Sequence, residues 1–116
     1  MHRDLISKHC ESCEGLGSAF SAQQTAELMP ELSAGWHLAQ AGQAIRRSFM
    51  FKDFYETIAF VNAIAWIANT ENHHPELEVG YSYCHVQLST HALNGLSKND
   101  FICAAKIDNL LPKVDR

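Results

Sequence analysis

Two short motifs hold three of the seven histidines in this chain of 116 residues. The first covers residues 71–75, with the sequence ENHHP, and the second covers residues 88–91, with the sequence LSTH. Histidine can donate and accept a proton near neutral pH, which is what a dehydration or an isomerisation requires. His73 follows a predicted helix, whose C-terminal dipole favours the imidazolium form, and Pro75 restricts the backbone beside it. The motifs therefore indicate acid–base chemistry, with His91 as a third participant.

Two alternatives use the same histidines differently. In a metal site, His73, His74, His91 and His85 would be the nitrogen ligands. Adjacent residues of an extended chain point to opposite sides, however, so His73 and His74 are poorly placed to chelate one ion. In a purely structural role, the histidines would cap a helix and end a strand, and spacing alone leaves this reading open. The sequence contains no glycine-rich phosphate loop, nucleophile elbow or P-loop lysine.

The composition predicts one globular domain over residues 21–116, preceded by a polar N-terminal tail over residues 1–20. The chain is 47% hydrophobic and 19% charged, which suffices for a core without cross-links. Its net charge of −4 argues against direct nucleic-acid binding. No apolar run approaches the ~18 residues of a membrane span, and the N-terminus has no signal-peptide core. We therefore expect a cytoplasmic protein with no membrane partner.

The four cysteines differ in their surroundings. Cys84 and Cys103 lie within apolar patterns, which predicts small buried side chains. Cys10 and Cys13 form half of a zinc or redox motif, but no second pair with this spacing follows. Thiols without a defined role in a flexible tail are therefore favoured over a metal or redox site.

Periodicity and turn residues predict the element order α-β-β-α-β-β-α. Capping-box patterns begin the three helices at Ser21, Asp53 and Ser97. Residues 83–90 alternate between polar and apolar, as a half-buried strand does. The predicted inward positions outside the central helix include Leu28, Leu32, Ile45, Phe49, Phe51, Ile102, Ala105 and Leu110. This order suits an α+β two-layer sandwich, in which helices cover one face of a four-stranded antiparallel sheet.

The central helix, predicted from Asp53 to about Thr70, is apolar on two sides. One stripe consists of Phe54, Ile58, Val61, Ala65 and Ala68, and the other consists of Phe60, Ile64 and Ile67. A helix with two apolar sides is buried on both of them. One stripe can cover the sheet, and the other then needs a neighbouring helix or a second subunit.

At these residues the chain resembles the pterin-4a-carbinolamine dehydratase family. The family's signature is an acidic residue, any residue, His-His-Pro, and then an extended segment ending in Leu-Ser-Thr-His. The chain matches it with residues 71–76 and 86–91, and further matches are Gly35-Trp36, residues 49–54 and residues 95–100. The resemblance covers roughly residues 21–110.

The resemblance implies an enzyme that removes water from 4a-hydroxytetrahydropterin and releases the quinonoid dihydropterin, with no metal or organic cofactor. His73 and His91 would be the acid–base residues, acting on the leaving 4a-hydroxyl and on the N5 proton. His74 would bind and orient the pterin. The other substrate-binding residues that the resemblance implies are Pro75, Thr90, Ala92, Leu93 and Asp100. Asp100 is equally a candidate for the third position of a helix cap.

The resemblance also implies a homo-oligomer, either a dimer or a tetramer, and a functional link to an aromatic amino acid hydroxylase, whose product the family dehydrates. Two other functions stay open. Animal relatives act as a dimerisation cofactor of a homeodomain transcription factor, so a binding module is one alternative. The other is a dehydratase-like fold that serves pterin or molybdopterin metabolism without a hydroxylase.

Overall fold

The structure, a computed structural model, describes residues 4–111. Its α-helices are α1 (Cys13–Leu16), α2 (Ala22–Leu28), α3 (Phe54–Glu71) and α4 (Lys98–Asp108). Its strands are β1 (His37–Ala39), β2 (Ala44–Met50), β3 (Glu76–Val79) and β4 (Tyr83–Leu88). Short 3-10 turns lie at Leu5–Ser7, Met29–Glu31, Gln40–Gly42 and His91–Leu93. The predicted order is confirmed from α2 onward.

The four strands form one antiparallel sheet in the order β1-β2-β4-β3. On β4 every second side chain is buried, and Ile45 of β2 lies opposite Leu88 of β4 in the register. The helices cover this apolar face, whereas Ser48 and Met50 on the other face of β2 are exposed. The predicted α+β architecture with a four-stranded antiparallel sheet is therefore confirmed.

Helix α3 packs against the sheet through only one of its two apolar stripes. Phe60, Ile64 and Ile67 are buried, whereas Phe54 is exposed and Val61 is only half-buried. The Asp53 side chain caps the helix by accepting from the Glu56 N–H at 2.9 Å. The Glu56 carboxylate accepts from the Lys52 N–H instead of closing the predicted capping box. No helix within residues 4–111 is both long enough and apolar enough to cross a membrane.

Helix α4 begins with the predicted capping box at Ser97, and its Ile102 and Ala105 are buried as predicted. The prediction that Leu110 faces inward is wrong, because its side chain is 39% exposed. The helix ends at Asp108, so the helical spacing on which that prediction depends no longer applies at Leu110.

The one charged residue on the inner face of β2, Arg47, is paired with a carboxylate. Arg47 is nearly buried, and its Nη1 donates to Asp108 Oδ1 at 2.6 Å. Asp108 also accepts from Trp36 Nε1 at 2.9 Å and from the Ser33 N–H at 3.1 Å. A buried charge is tolerated when it is paired and hydrogen-bonded in this way. Asp108 therefore connects the end of α4 to β2 and to the segment just before β1.

Several described residues of the N-terminal segment, which the sequence predicts to be a flexible tail, pack against the rest of the chain. Leu5 is buried, and the Phe20 ring stacks on Phe101 with centroids 6.0 Å apart. The Cys10 N–H donates to the Glu71 carboxylate at 2.8 Å. Some polar groups of the segment form hydrogen bonds with residues at helix ends. Composition alone does not distinguish such polar groups from groups that are solvated.

Candidate active site

His73 occupies the turn that ends α3. Asn72 adopts the left-handed conformation (φ 53°), and both its N–H and the His73 N–H donate to the Ala68 carbonyl. Such a turn reverses the chain at a helix C-terminus. The His73 side chain is only 11% exposed, and its Nε2 lies 2.7 Å from Asp100 Oδ1, within hydrogen-bond distance. The turn thus brings the first histidine of the pair onto the start of α4.

Asp100 is fully buried in the first turn of α4, where it caps the helix and also contacts His73. Its Oδ2 accepts from the Ser97 N–H, which closes the helix cap, and from Thr90 Oγ1, both at 2.9 Å. Its Oδ1 faces His73. A buried carboxylate in contact with an imidazole fixes the orientation of the ring. The cap and the histidine partner are one group.

The sheet register brings the second motif to the same place. Glu76 at the start of β3 pairs with Gln87 near the end of β4, so residues 73–75 enter the sheet at the edge where residues 88–90 leave it. The Thr90 hydroxyl contacts both Asp100 and the Ser97 hydroxyl, the latter at 2.7 Å. His73, Asp100, Thr90 and Ser97 therefore form one hydrogen-bonded network, built from one strand end and two helix ends.

His91 lies at the open side of this network. It begins the 3-10 turn after β4, its side chain is 86% exposed, and its Nε2 is 3.6 Å from Glu76 Oε2. A cleft of about 210 Å³ opens beside it. The cleft is lined by Gln40, Gln43, Ala44, Glu76, Gln87, Ser89, Thr90, His91, Asn94 and Gly95. The cleft therefore places a solvent-accessible histidine among side chains that can form hydrogen bonds.

The other predicted site residues flank the cleft. His74 and Ala92 are exposed, and Pro75 and Leu93 are half-buried. None of the four lines the cleft around His91. Within the described part of the chain, no hydrogen bond or ion pair joins His73 to His91. The two predicted acid–base residues thus differ in exposure: the His73 side chain is nearly buried, and the His91 side chain is open to solvent.

The sequence alone did not single out the amide residues of the cleft. Gln40 and Gln43 bracket the turn between β1 and β2, and Gln87 lies on the polar face of β4. The alternation of β4 marks Gln87 as outward-facing, but nothing local marks the two turn residues. Only the pairing of β1 with β2 and of β2 with β4 brings Gln40 and Gln43 to His91.

His85, a candidate metal ligand by residue type, lies on the outer face of the sheet. Its ring stacks on Tyr83 with centroids 4.7 Å apart, and it pairs in register with Ser48 of β2 and Glu78 of β3. Its Nδ1 is buried and has no hydrogen-bond partner among the described residues. Across residues 4–111, no three side chains of the His, Cys, Asp and Glu types are grouped so as to hold a metal ion.

Comparison with known proteins places this chain in a family. The family model described as "Pterin 4 alpha carbinolamine dehydratase" matches residues 18–110. The chain belongs to the pterin-4-alpha-carbinolamine dehydratase family. A provisionally named pterin-4-alpha-carbinolamine dehydratase of Legionella pneumophila (strain Lens) is 65% identical over 111 residues, which are 96% of this chain and 98% of that one. A similarly named protein of Nitrosospira multiformis is 51% identical over 107 residues, 92% of each chain.

Solved structures share the fold of this pterin dehydratase family member. The crystal structure of a transcriptional coactivator/pterin dehydratase from Brucella melitensis matches 82% of this chain and all of that chain, with a TM-score of 0.77 and 32% identity. A pterin dehydratase-like protein, identified as a RuBisCO assembly factor in the alpha-carboxysome, matches 66% of this chain and 88% of that chain. With 23% identity and a TM-score of 0.58, that second likeness shows the fold alone.

Glu71, the last residue of α3, connects the helix to the N-terminal segment two positions before His73. Its side chain is 3% exposed. It accepts from the Cys10 N–H at 2.8 Å and lies 2.9 Å from His9 Nδ1 and 3.5 Å from Lys106 Nζ. Burial by itself raises the pKa of Glu71, but the bonds from Cys10 and His9 and the charge of Lys106 outweigh it. The net pKa lies below the ordinary value of 4.5.

Replacing Glu71 with glutamine is expected to lower the free energy of unfolding near pH 7 by about 1–3 kcal/mol, because the buried donors lose their charged acceptor. A folded-state pKa below the unfolded value gives stability that is fully present above the unfolded pKa and is lost as the pH falls through the folded pKa. The deficit of Glu71→Gln should therefore shrink below about pH 4.

Urea denaturation of both proteins across this pH range measures the deficit. Glu78→Gln is the matched control, since Glu78 is 66% exposed and contacts Arg46 only at the surface. It should change stability by less than about 1 kcal/mol at any pH. A Glu71→Gln deficit that is the same at neutral and acidic pH would contradict the assignment.

Proposed function

We propose that this chain dehydrates 4a-hydroxytetrahydropterin to the quinonoid dihydropterin by histidine acid–base catalysis, as a step of tetrahydropterin recycling. One observation carries the proposal. In a member of this family, the HHP motif of residues 73–75 has its first imidazole 2.7 Å from a fully buried carboxylate, that of Asp100. A buried carboxylate that orients an imidazole is the arrangement of an acid–base residue.

The reaction needs two proton transfers and no redox change. The C4a–O bond breaks, and the hydroxyl leaves as water once it has received a proton. The electron pair of N5 forms the C4a=N5 double bond, and N5 then loses its proton. One group therefore has to donate a proton and another has to accept one, which two histidines can do at neutral pH.

The surroundings of the two histidines suit different halves of this reaction. The contact with Asp100 holds the His73 ring in one orientation, so His73 is assigned to protonate the leaving hydroxyl. His91 is open to solvent beside Glu76, so it is assigned to accept the N5 proton and pass it to water. His74 is assigned to orient the pterin, with Pro75, Thr90, Ala92 and Leu93 around the substrate and the buried Asp100 behind His73.

The amide side chains of the cleft give the pterin ring its hydrogen-bond partners in this proposal. Gln40, Gln43 and Gln87 each offer both a donor and an acceptor. The pyrimidinone edge of a pterin alternates donors and acceptors in the same way. A few placed polar groups of this kind fix the orientation of a small ligand.

Turnover of freshly generated 4a-hydroxytetrahydropterin, followed by absorbance, tests the proposal. Dehydration should exceed the spontaneous background, and the double variant His73→Ala/His91→Ala should abolish the excess. His37→Ala is the matched control, because His37 is an exposed histidine of β1. A folded wild-type protein that gives no acceleration would refute the dehydratase and favour a binding module.

We also propose that the chain is a cytoplasmic homo-oligomer, either a dimer or a tetramer, that works alongside an aromatic amino acid hydroxylase. The outer face of α3 supports self-association: Tyr55 and Trp66 are largely exposed, with Trp66 at 71%. Large exposed apolar side chains on one helix mark an interaction surface. A binding function is the second candidate, supported by the likeness to the Brucella melitensis protein, which is described as a transcriptional coactivator as well as a pterin dehydratase.

Sedimentation velocity is expected to show no monomer at micromolar concentration. Trp66→Glu should shift the protein toward monomer, because it places a charge in the apolar contact. Asn62→Glu is the control, because Asn62 is a polar residue on the same exposed side of α3. This substitution should shift the monomer fraction less. A wild-type protein that sediments as a monomer would contradict the oligomer.

A further inference from the structure

Two free thiols touch each other beside the proposed active site, where Cys103 Sγ lies 4.0 Å from the His73 carbonyl oxygen. Cys10 Sγ lies 3.6 Å from Cys103 Sγ, and neither sulfur is in a disulfide. Cys103 is buried on α4, whereas Cys10 is only partly buried on the N-terminal segment. The dehydration proposed above uses neither thiol, so their contact calls for a separate explanation.

The contact between the thiols is held in place from both sides. The Cys10 N–H donates to the Glu71 carboxylate, and Cys10 Sγ donates to the Asn99 carbonyl at 3.7 Å. The next residue, Glu11, exchanges two hydrogen bonds with the Asn99 side chain, at 3.0 and 2.8 Å. The backbone on either side of the Cys10 sulfur is thus bonded to the ends of α3 and α4.

We propose that Cys10 and Cys103 are a redox site, in which a peroxide converts the two thiols into a disulfide. The Cys10 thiolate attacks the O–O bond of hydrogen peroxide, which leaves a sulfenic acid on Cys10 and releases one water. The Cys103 sulfur then attacks the Cys10 sulfur and displaces the hydroxyl as a second water. Two thiols are oxidised, and one peroxide is reduced to two waters.

The surroundings assign the two sulfurs their order in this reaction. The hydrogen bond with Cys10, followed by burial, raises the pKa of the Cys103 thiol well above its ordinary value. Peroxide reacts with thiolates that it can reach, and Cys10 is the more accessible of the two. Cys10 is therefore the attacking sulfur, and Cys103 is the resolving one.

The disulfide would fasten the N-terminal segment to α4 at a point close to the active site. The two cysteines are 93 residues apart in sequence, so the bond closes most of the chain into one loop. Glu71 precedes His73 by two positions, and Asn99 precedes Asp100 directly. The linked segment thus holds the two elements that carry the His73–Asp100 pair.

Peroxide treatment of the reduced full-length chain tests this site. After a small excess of hydrogen peroxide, the protein is denatured, its remaining thiols are blocked with N-ethylmaleimide, and the peptides are mapped by mass spectrometry. We expect an intact mass lower by two hydrogens, blocking of two thiols instead of four, and a peptide that links Cys10 to Cys103. The Tm of the oxidised protein should be higher by about 10 °C, because the disulfide closes a long loop. Treatment with a dithiol reductant should restore the Tm of the reduced protein.

Variants of the cysteines make the result specific. Cys13→Ser should still form the disulfide, whereas Cys10→Ser should lose it and leave Cys103 open to blocking after denaturation. Cys103→Ala should let the Cys10 sulfenic acid accumulate, where dimedone labels it. A Cys10–Cys13 link, or further oxidation of Cys10 with Cys103 still a thiol, would overturn the proposal. None of these measurements involves turnover, so their outcome is independent of the dehydratase proposal.

Discussion

Replacing His73 with alanine is expected to reduce turnover of 4a-hydroxytetrahydropterin by about 10²- to 10⁴-fold, the range that one general acid or base contributes. The variant loses the imidazole that Asp100 holds at 2.7 Å, so the leaving hydroxyl has no positioned proton donor. His91→Ala should lose less turnover than His73→Ala at high buffer concentration, because the position of His91 is open to solvent and a small buffer base can replace the imidazole. Turnover at saturating substrate, corrected for the spontaneous reaction, measures both losses.

The matched control for His73→Ala is His37→Ala, which removes an exposed histidine from β1 and should keep full turnover. Circular dichroism and thermal unfolding establish that each variant is folded. If folded His73→Ala turns over at the wild-type rate, His73 is not the proton donor. The structural role that the sequence left open, capping of α3, would then be the better assignment.

Replacing Asp100 with asparagine is expected to reduce both stability and turnover. The free energy of unfolding should fall by about 1–3 kcal/mol, because three buried donors lose a charged acceptor. Turnover should fall on the order of 10²-fold, because the neutral amide no longer holds the His73 ring with a charge-assisted hydrogen bond. The turnover loss should come with a changed pH profile, which loss of stability alone would not produce.

Asp108→Asn separates the two effects of the Asp100 substitution. Asp108 lies on the same helix and also accepts three hydrogen bonds, from Arg47, Trp36 and Ser33. This variant should lose stability while keeping the turnover and the pH profile of the folded protein. Should Asp100→Asn behave in the same way, Asp100 would be a helix cap and nothing more.

Local patterns were sufficient for much of the fold. The capping boxes at Ser21 and Ser97 formed as predicted, since they depend on residues within one turn of each other. The alternation of polar and apolar residues along residues 83–88 likewise predicted which side chains of β4 face the core. The prediction for Leu110 failed because it extended a helical spacing past the residue at which the helix ends.

The sequence by itself determined the order of helices and strands from α2 onward, and it singled out the two histidine motifs, because residue type and short spacing carry that information. Only the tertiary structure decided that Asp100 contacts His73, 27 residues earlier, and that Arg47 pairs with Asp108. It also decided which stripe of α3 faces the sheet, and it packed the polar N-terminal segment against Glu71. These contacts join residues that are far apart in the chain, and no local periodicity encodes which distant partner will satisfy a buried charge or donor.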